Sequence, residues 1–502
     1  MRLSIQNLTF AYDGGAAPVF ESACAELDTR WRLALIGRNG RGKTTLLNLM
    51  LGRYPYQGVI DLPVPAAYFP YPVEDPSLPA MEVLRRAAPL SQDWELEREL
   101  NLLGVAGDAL ERPFSTLSKG EQTKALLCAL LSRQDAYPLI DEPTNHLDAH
   151  GRALVAAYLQ KKDGFLLVSH DRAFLNSCVD HVMSLNKSDI WVMRGDYDAW
   201  EARFNRHNET EQARNEALKR DITRLEASAR RAAAWSDRGE KGKFHVSPSE
   251  TAAVDRGYVG ARSAAMMKRA KSTLKRRERA VEEKSALLKN AERVGELRLT
   301  TLEHPKRVLV SVADGCVRYG ERVVADGIHF TLQRGDRVAL AGGNGTGKSS
   351  VLKALVGEGG ALTGDVRVAG GLAISYVPQE TDGLSGDMRS FIRQNALDET
   401  LFKAILRNMD FGREHFDLPL NALSQGQKKK ILLARSLCTP AHLYVWDEPL
   451  NFIDVFSRVQ AERLILEHQP TMLMVEHDRV FLSRVCNRQP VSLARIPSQG
   501  GR

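Results

Sequence analysis

The chain has 502 residues, 43% hydrophobic and 26% charged, a globular balance that at about 150 residues per domain implies roughly three units of fold. No apolar run approaches the roughly 20 residues a membrane helix needs. The best, Ala125–Leu131, stops at Ser132 and Arg133, and Arg2, Gln6, Asn7 and Asp13 break up the start, so neither a spanning helix nor a secretory leader is expected. Cys24, Cys128, Cys178, Cys316, Cys438 and Cys486 lie far apart with no C-x-x-C pair, which argues against zinc or iron–sulfur sites and for reduced thiols in a cytoplasm. Sixty-nine basic against 62 acidic residues leave +7, yet residues 206–303 alone hold 23 basic and 15 acidic residues. One internal segment therefore carries the whole surplus, and a polyanion is its expected partner.

In chain order, Arg32–Ile36 reads as a buried strand feeding the turn Gly37-Arg-Asn-Gly-Arg-Gly-Lys43-Thr44 and then a helix. Glycines let backbone N–H groups converge on a phosphate, and the following helix presents its positive end. Gly37, Arg38, Asn39, Gly40, Arg41, Gly42, Lys43, Thr44 and Thr45 are the candidate phosphate cradle, with Lys43 on the β- and γ-phosphates and Thr44 on Mg²⁺. The competing interpretation is a glycine-rich turn with a surface lysine. Tyr68-Phe-Pro-Tyr71 and Leu117-Ser-Lys-Gly-Glu-Gln122 follow. Tyr137–Ile140 is a short apolar strand ending in Asp141 and Glu142, and Phe165–Val168 is another ending at Ser169-His-Asp171. Asp141 at a strand end suits Mg²⁺ or a metal-linked water, Glu142 a general base, and His170 a contact to the γ-phosphate. Adjacent acids are otherwise ordinary solvated loop charges.

The same series then repeats. Gly342, Gly343, Asn344, Gly345, Thr346, Gly347, Lys348, Ser349 and Ser350 recur 305 residues on, Leu423-Ser-Gln-Gly-Gln-Lys428 and Asp447-Glu-Pro-Leu-Asn-Phe-Ile-Asp454 306 on, and Glu476-His-Asp478 307 on. Four motifs in register define a tandem duplication of a roughly 200-residue unit. Strands alternating with helices (Arg337–Ala341, Leu443–Trp446, Thr471–Val475 in the second copy) imply a mainly parallel α/β sheet with its ligand at the carboxyl ends of the strands. Lys348, Ser349, Asp447, Glu448 and His477 inherit the roles assigned in the first copy.

Ser118-Lys-Gly-Glu-Gln122 and Ser424-Gln-Gly-Gln427 resemble the signature of ABC ATPases, a family in which two ATP-binding domains pair head to tail. The resemblance implies that Ser118 and Gly120 cap the nucleotide on Lys348, that Ser424 and Gly426 cap the one on Lys43, and that Tyr12 and Tyr319 stack on adenine. It also makes Gln379 a Q-loop residue on Mg²⁺. The first copy has Tyr71 there, and a phenol cannot replace the amide's contacts, so the two sites are expected to be unequal.

Between the copies, Leu218, Ile222, Leu225 and Ala229 form one helical seam, and Met267, Leu274, Val281 and Leu288, flanked by Met266, Ala280 and Leu287, form another. They frame a breaker-rich loop near 236–260 with Trp235, Phe244, His245 and Tyr258, and from Lys219 to Arg279 there are 17 basic and 7 acidic residues. Such a segment suits RNA phosphates and unstacked bases; the alternative is a solvated coiled-coil spacer. The expected architecture is α/β: two tandem P-loop ABC-type ATPase domains, 1–205 and 304–502, joined by a long antiparallel helical hairpin, 206–303.

The whole chain resembles ABC-F proteins, nearest their Lsa-type antibiotic-resistance branch, through Phe10-Ala-Tyr-Asp13, Trp94-Glu-Leu-Glu-Arg-Glu-Leu100, Pro138–Pro143, Gly260-Ala-Arg262, Met267-Lys-Arg269 and Trp446–Asn451, with Leu450 where most ABC-F proteins carry threonine. Tyr71 to Ser118 spans 47 residues against 45 from Gln379 to Ser424, leaving no room for an extra arm subdomain, and the 25 residues after His477 leave none for a long RNA-binding tail. The resemblance implies a cytoplasmic, monomeric ATP- and Mg²⁺-dependent factor with no membrane partner. Its ATP-bound form would close on the E site of the 70S ribosome, where the hairpin would press on P-site tRNA and 23S rRNA and displace lincosamides, pleuromutilins or streptogramin A. Two alternatives stand beside it: a housekeeping ABC-F translation factor without a resistance role, and the fused ATPase subunit of an importer.

Overall fold

The computed structural model describes residues 1–12, 18–145, 147–186, 190–207, 299, 301–343, 345–409 and 411–494, with scattered positions between 209 and 227. Two compact units emerge, one of residues 1–200 and 294–502 and one of 201–293. Within the latter, residues 201–207 are helical. The two seams proposed for the hairpin and its tip loop lie outside the described residues, as do Asp13 and Asn344.

The first copy contributes β1 (Arg2–Phe10), β2 (Phe20–Asp28), β3 (Arg32–Gly37), β4 (Gln57–Asp61), β5 (Ala66–Phe69), β6 (Tyr137–Asp141), β7 (Phe165–Val168), β8 (His181–Leu185) and β9 (Ile190–Arg194). The second contributes β10 (Val308–Tyr319), β11 (Arg322–Gln333), β12 (Arg337–Ala341), β13 (Ala361–Val368), β14 (Ile374–Val377), β15 (Leu443–Asp447), β16 (Met472–Val475) and β17 (Val491–Ser492). The central sheets run β5-β6-β7-β3-β8-β9 and β14-β15-β16-β12-β17. All their pairings are parallel except β8 with β9. Strands such as Phe165–Val168 and Leu443–Asp447 are buried at every position, which explains why they read as unbroken apolar runs: a parallel sheet is covered on both faces.

Each copy also carries a three-stranded antiparallel sheet, β2-β1-β4 and β11-β10-β13, which the motif pattern did not anticipate. Register shifts break the alternation in β1 and β10, hiding the period of two on which a strand assignment from sequence depends. The register of the parallel sheet does the positioning. Asp141 lies beside Val168, and Asp447 beside Val475, so the strand that ends in the acids abuts the one that leads to the histidine. Val168 and Val475 then accept hydrogen bonds at 2.9 Å from the backbone of Glu142 and Glu448.

The second copy's core gathers around Trp446, whose Nε1 donates to Ser436 Oγ at 3.0 Å; that oxygen lies 2.7 Å from Ser375 Oγ, so the polar edge of the ring is answered inside the core. A second buried polar feature is an ion pair. Lys430 Nζ donates to Asp454 Oδ2 at 2.8 Å, with the side chains 2% and 0% exposed, while Asp454 Oδ1 caps the helix Val455–His468 through the Ser457 N–H. Replacing Lys430 by Met should strand that carboxylate and cost about 3–5 kcal/mol, whereas pairing it with Asp454→Asn should recover part of the loss. Denaturant midpoints of the second copy's transition measure both.

Candidate ATP site at the seam of the two copies

The two phosphate-binding turns are built alike. Gly42 and Gly347 sit in the left-handed region at φ 89° and 84° immediately before the helices Lys43–Met50 and Lys348–Val356. A Cβ on Gly42 would lie 2.6 Å from Val19 Cγ1, and one on Gly347 2.8 Å from the Val324 carbonyl oxygen, so neither position admits another residue without displacement. Lys43 Nζ donates to the carbonyls of Gly37 at 2.7 Å and Arg38 at 3.3 Å and to Asn39 Oδ1 at 3.3 Å. Lys348 Nζ donates to the carbonyls of Gly342 at 2.9 Å and Gly343 at 2.8 Å. Burial lowers both ammonium pKa values, which the neighbouring carboxylates partly offset.

The acids that end β6 and β15 are followed by Glu142 and Glu448, non-glycine residues held at φ 52° and 46°. That sparsely populated backbone turns the chain sharply off the strand end. His170 Nε2 lies 3.5 Å from Glu142 Oε1, and His477 Nε2 3.3 Å from Glu448 Oε1, so each acid meets the histidine of its own copy. Burial, reinforced by Asp141, pushes Glu142 up to about 8, and burial drives His170 well down, towards its neutral form. Glu448 differs. Burial opposes its charge, but hydrogen bonds and charge from His477, with Gln379 and Asn451, outweigh it and lower the pKa.

One cavity of about 420 Å³ opens where the first copy's turn faces the second copy's signature; Lys43, Asp141, Glu142, His170, Ser424 and Gly426 all line it. Asn39 Nδ2 crosses the seam to the Phe452 carbonyl at 3.3 Å, and the Arg38 guanidinium lies 5.2 Å from the Phe456 ring centroid. A Cβ on Gly426 would come 2.6 Å from the Phe452 carbonyl oxygen, which explains a glycine at that point of the signature. Ser424 caps the helix Gln425–Cys438, its Oγ accepting from Gln427 N–H at 3.3 Å, so a helix N-terminus points towards the cavity that holds Lys43. The seam is also held by Arg172, 1% exposed, whose guanidinium donates to Glu462 Oε2 of the second copy at 2.9 Å.

The reciprocal half-site keeps its parts. Ser118 caps Lys119–Ser132 by the same box with Glu121, and Asp148 of the first copy acts on the charge of Lys348. Tyr12 and Tyr319 are exposed rings; Tyr12 Oη lies 2.9 Å from Thr45 Oγ1, against the helix that follows the turn.

The oxygen set differs between the copies. In the second, Ser349 Oγ lies 3.0 Å from Asp447 Oδ1 and 3.3 Å from Gln379 Oε1, while Asp447 Oδ2 is buried without a hydrogen-bond partner. Convergent hard oxygens with one orphaned carboxylate atom fit Mg²⁺, which takes its other ligands from phosphate and water. In the first copy, Tyr71 turns away and donates to the Leu126 carbonyl at 3.3 Å, and the hydroxyl on Asp141 Oδ2, at 2.9 Å, is that of Tyr68. Sequence reasoning singled out Tyr71 and missed Tyr68. It missed Arg172 and Glu462 as well, which are 290 residues apart and belong to no motif.

The family described as ABC transporter matches twice, at residues 22–145 and 325–451. The chain belongs to the ABC family of ATPases. It is an ATP-hydrolysing enzyme with two ABC domains in tandem. Along its length it is 30% identical to the ATP-binding protein Uup of Caulobacter vibrioides, covering 97% of this chain and 76% of that protein. It is 28% identical to the ribosome protection protein VmlR of Bacillus subtilis, covering 96% and 85%. Among solved structures it shares its fold, at a TM-score of 0.59 and 19% identity, with an archaeal ribosome recycling factor, aABCE1, crystallised with the ribosomal stalk protein aP1; the match covers 96% of this chain and 86% of that one. No helix among the described residues is long and apolar enough to cross a membrane.

If each ABC copy supplies one phosphate-binding lysine, Lys43→Ala and Lys348→Ala should each leave one ATP per chain bound at the original affinity, and the double variant none. At the affected site the loss of one charge-assisted contact should weaken binding about tenfold to a hundredfold. Titration calorimetry with ATP in the cold gives stoichiometry and affinity together.

Proposed function

We propose that this ABC ATPase is of the ABC-F type and acts as a ribosome-protection factor. It would bind the ribosome with ATP held at the seam of its two copies and use the basic segment 206–303 to dislodge antibiotics from the peptidyl transferase region. The observation that carries this is the end-to-end likeness to a ribosome protection protein. The basic segment between the copies supports it, because a stretch of 23 basic and 15 acidic residues suits a structured polyanion.

In this mechanism, Lys43 and Lys348 neutralise the phosphates of one ATP each, and the turns from Gly37 and Gly342 cradle them through backbone N–H groups. Ser424 and Gly426 close the first site from the opposite copy, and Ser118 and Gly120 close the second. Glu142 and Glu448 take the proton of the attacking water while His170 and His477 hold the γ-phosphate end in place. Thr44, Asp141, Ser349, Gln379 and Asp447 would hold Mg²⁺, directly or through water, and a cation there would supply electrostatic stabilisation of the charge that develops on the phosphates. Binding draws the copies together and hydrolysis releases them. The segment 206–303 turns that motion into pressure on P-site tRNA and 23S rRNA of the 70S ribosome, in the cytoplasm. Lincosamides, pleuromutilins and streptogramin A are the proposed drug classes.

A second reading, a housekeeping ABC-F translation factor without a resistance role, fits the same tandem ATPase domains and basic segment. One experiment separates the two. With both general bases removed, the Glu142→Gln/Glu448→Gln chain should sediment with 70S ribosomes in ATP and not in ADP. The unaltered chain, added to a cell-free translation reaction, should raise the inhibitory concentration of lincomycin several-fold. Sedimentation without drug relief would leave the translation factor; failure to sediment would remove the ribosome from the account.

A further inference from the structure

The two copies differ at three buried or near-buried positions in a concerted way. Thr123, Thr144 and Ser169 of the first correspond, at offsets of 306, 306 and 307, to Lys429, Leu450 and Glu476 of the second. In the first copy the set is neutral. Thr144 Oγ1 and Ser169 Oγ lie 3.4 Å apart, Ser169 Oγ accepts the Asp171 N–H at 3.2 Å, and Thr123 Oγ1 donates within its own helix to the Lys119 carbonyl at 2.9 Å.

In the second copy Leu450 has no hydroxyl, and the longer Glu476 side chain spans the gap. Its Oε2 accepts the Leu450 N–H at 3.2 Å, and its Oε1 accepts the His477 N–H at 2.7 Å and the Asp478 N–H at 3.3 Å. One carboxylate thereby fastens the loop after Glu448 to the loop that delivers His477. It is 7% exposed, and such a charge needs an answering one nearby. Lys429, 1% exposed, stands where the first copy has Thr123; its Nζ donates to the carbonyls of Pro378 at 2.8 Å, Gln379 at 3.2 Å and Asp447 at 3.3 Å. A single ammonium joins the segment carrying Gln379 to the end of the strand that delivers Asp447. The carboxylates of Asp447, Glu476 and Glu448 all act on its charge.

We infer that Lys429 and Glu476 are positioning residues for ATP hydrolysis at the second site, holding the backbones that present Gln379, Asp447 and His477, and that together with Leu450 they replace the first copy's neutral hydroxyl set as one compensated exchange. The inference rests on Glu448 being the second site's general base, not on the ribosome as partner. Its test therefore needs only the purified full-length chain.

In a Glu142→Gln background, steady-state turnover reports the second site, and Glu142→Gln/Glu448→Gln fixes the zero. Lys429→Thr should lower kcat about tenfold while KM for ATP stays within about threefold, because what is lost is alignment and not the phosphate contacts. Glu476→Ser should do the same. The triple K429T/L450T/E476S, which installs the first copy's residues, should return kcat to within about threefold of the parent. Unchanged kcat in K429T, or a triple no better than K429T alone, overturns the inference; so does turnover in the double Gln variant above the blank, which would remove Glu448 as the base. Should the second-copy variants fail to fold, the reciprocal graft decides. In the first copy S169E alone should lower the melting temperature, and T123K/T144L/S169E should restore it; a graft that melts no higher than S169E overturns the exchange.

Discussion

A carboxylate at the end of a buried parallel strand is destabilising unless its surroundings answer it, and Asp141 and Asp447 impose that condition on both copies. Burial raises both, Asp447 to about 6. The groups gathered around them are those able to respond: a buried lysine from the preceding turn, a hydroxyl, and the histidine loop of the adjacent strand. Each of these is itself under strain from burial. Lys43 and Lys348 are lowered, and Glu142 is raised. A polyphosphate with its counter-cation is the kind of ligand that such a set of mutually dependent charges accommodates, since it pairs with the lysines and uses the free carboxylate oxygen at once.

The two copies meet the same condition differently. The second satisfies one Asp447 oxygen with the phosphate-turn serine and leaves the other open; the first satisfies Asp141 with the phenol of Tyr68, over whose ring the Arg53 guanidinium lies at 5.3 Å. Tyr71 is not a poor copy of Gln379 standing in its place. It has left the site for the Leu126 carbonyl, and the strand tyrosine three residues earlier, Tyr68, provides the contact. Glu142 and Glu448 diverge for a related reason: among the described residues it is the second that is met by an amide, from Asn451 at 2.5 Å, besides its histidine. Inequality between the sites thus follows from which hydroxyls and amides face the acids, more than from the single exchange at the Q-loop.

What the sequence made legible was chemistry held in contiguous residues. The phosphate turns, the paired acids and the signature serines are each recognisable within a few positions, and the parallel strands before them are apolar but for a leading Arg32 or Arg337 and the closing Asp447, because both faces are covered. The cavity shared by Lys43 with Ser424 and Gly426 was anticipated from the head-to-tail resemblance alone. What escaped was chemistry assembled across distance or disguised by its neighbours. Nothing in the pattern of Ala66–Phe69 distinguishes a tyrosine aimed at Asp141 from one packed in the core. Lys428, Lys429 and Lys430 are consecutive charges, yet the fold buries the second and third to 1% and 2% exposure, each against acceptors supplied by other elements.

Asymmetry extends to how the copies are held together. Arg172 follows the histidine loop of the first copy and reaches Glu462, which also receives Arg484 at 3.0 Å, so one carboxylate collects a guanidinium from each side of the seam. The symmetry-related pair cannot form: Arg479 corresponds to Arg172, but Ala156 stands where Glu462 would be required. A desolvated ion pair in one direction and none in the other means that loosening the seam separates different charges at its two ends. Arg172 is two residues from His170, the histidine that faces Glu142. The first copy's histidine loop is thus tied across the seam, whereas in the second copy Lys429 and Glu476 fasten the corresponding backbones within one copy.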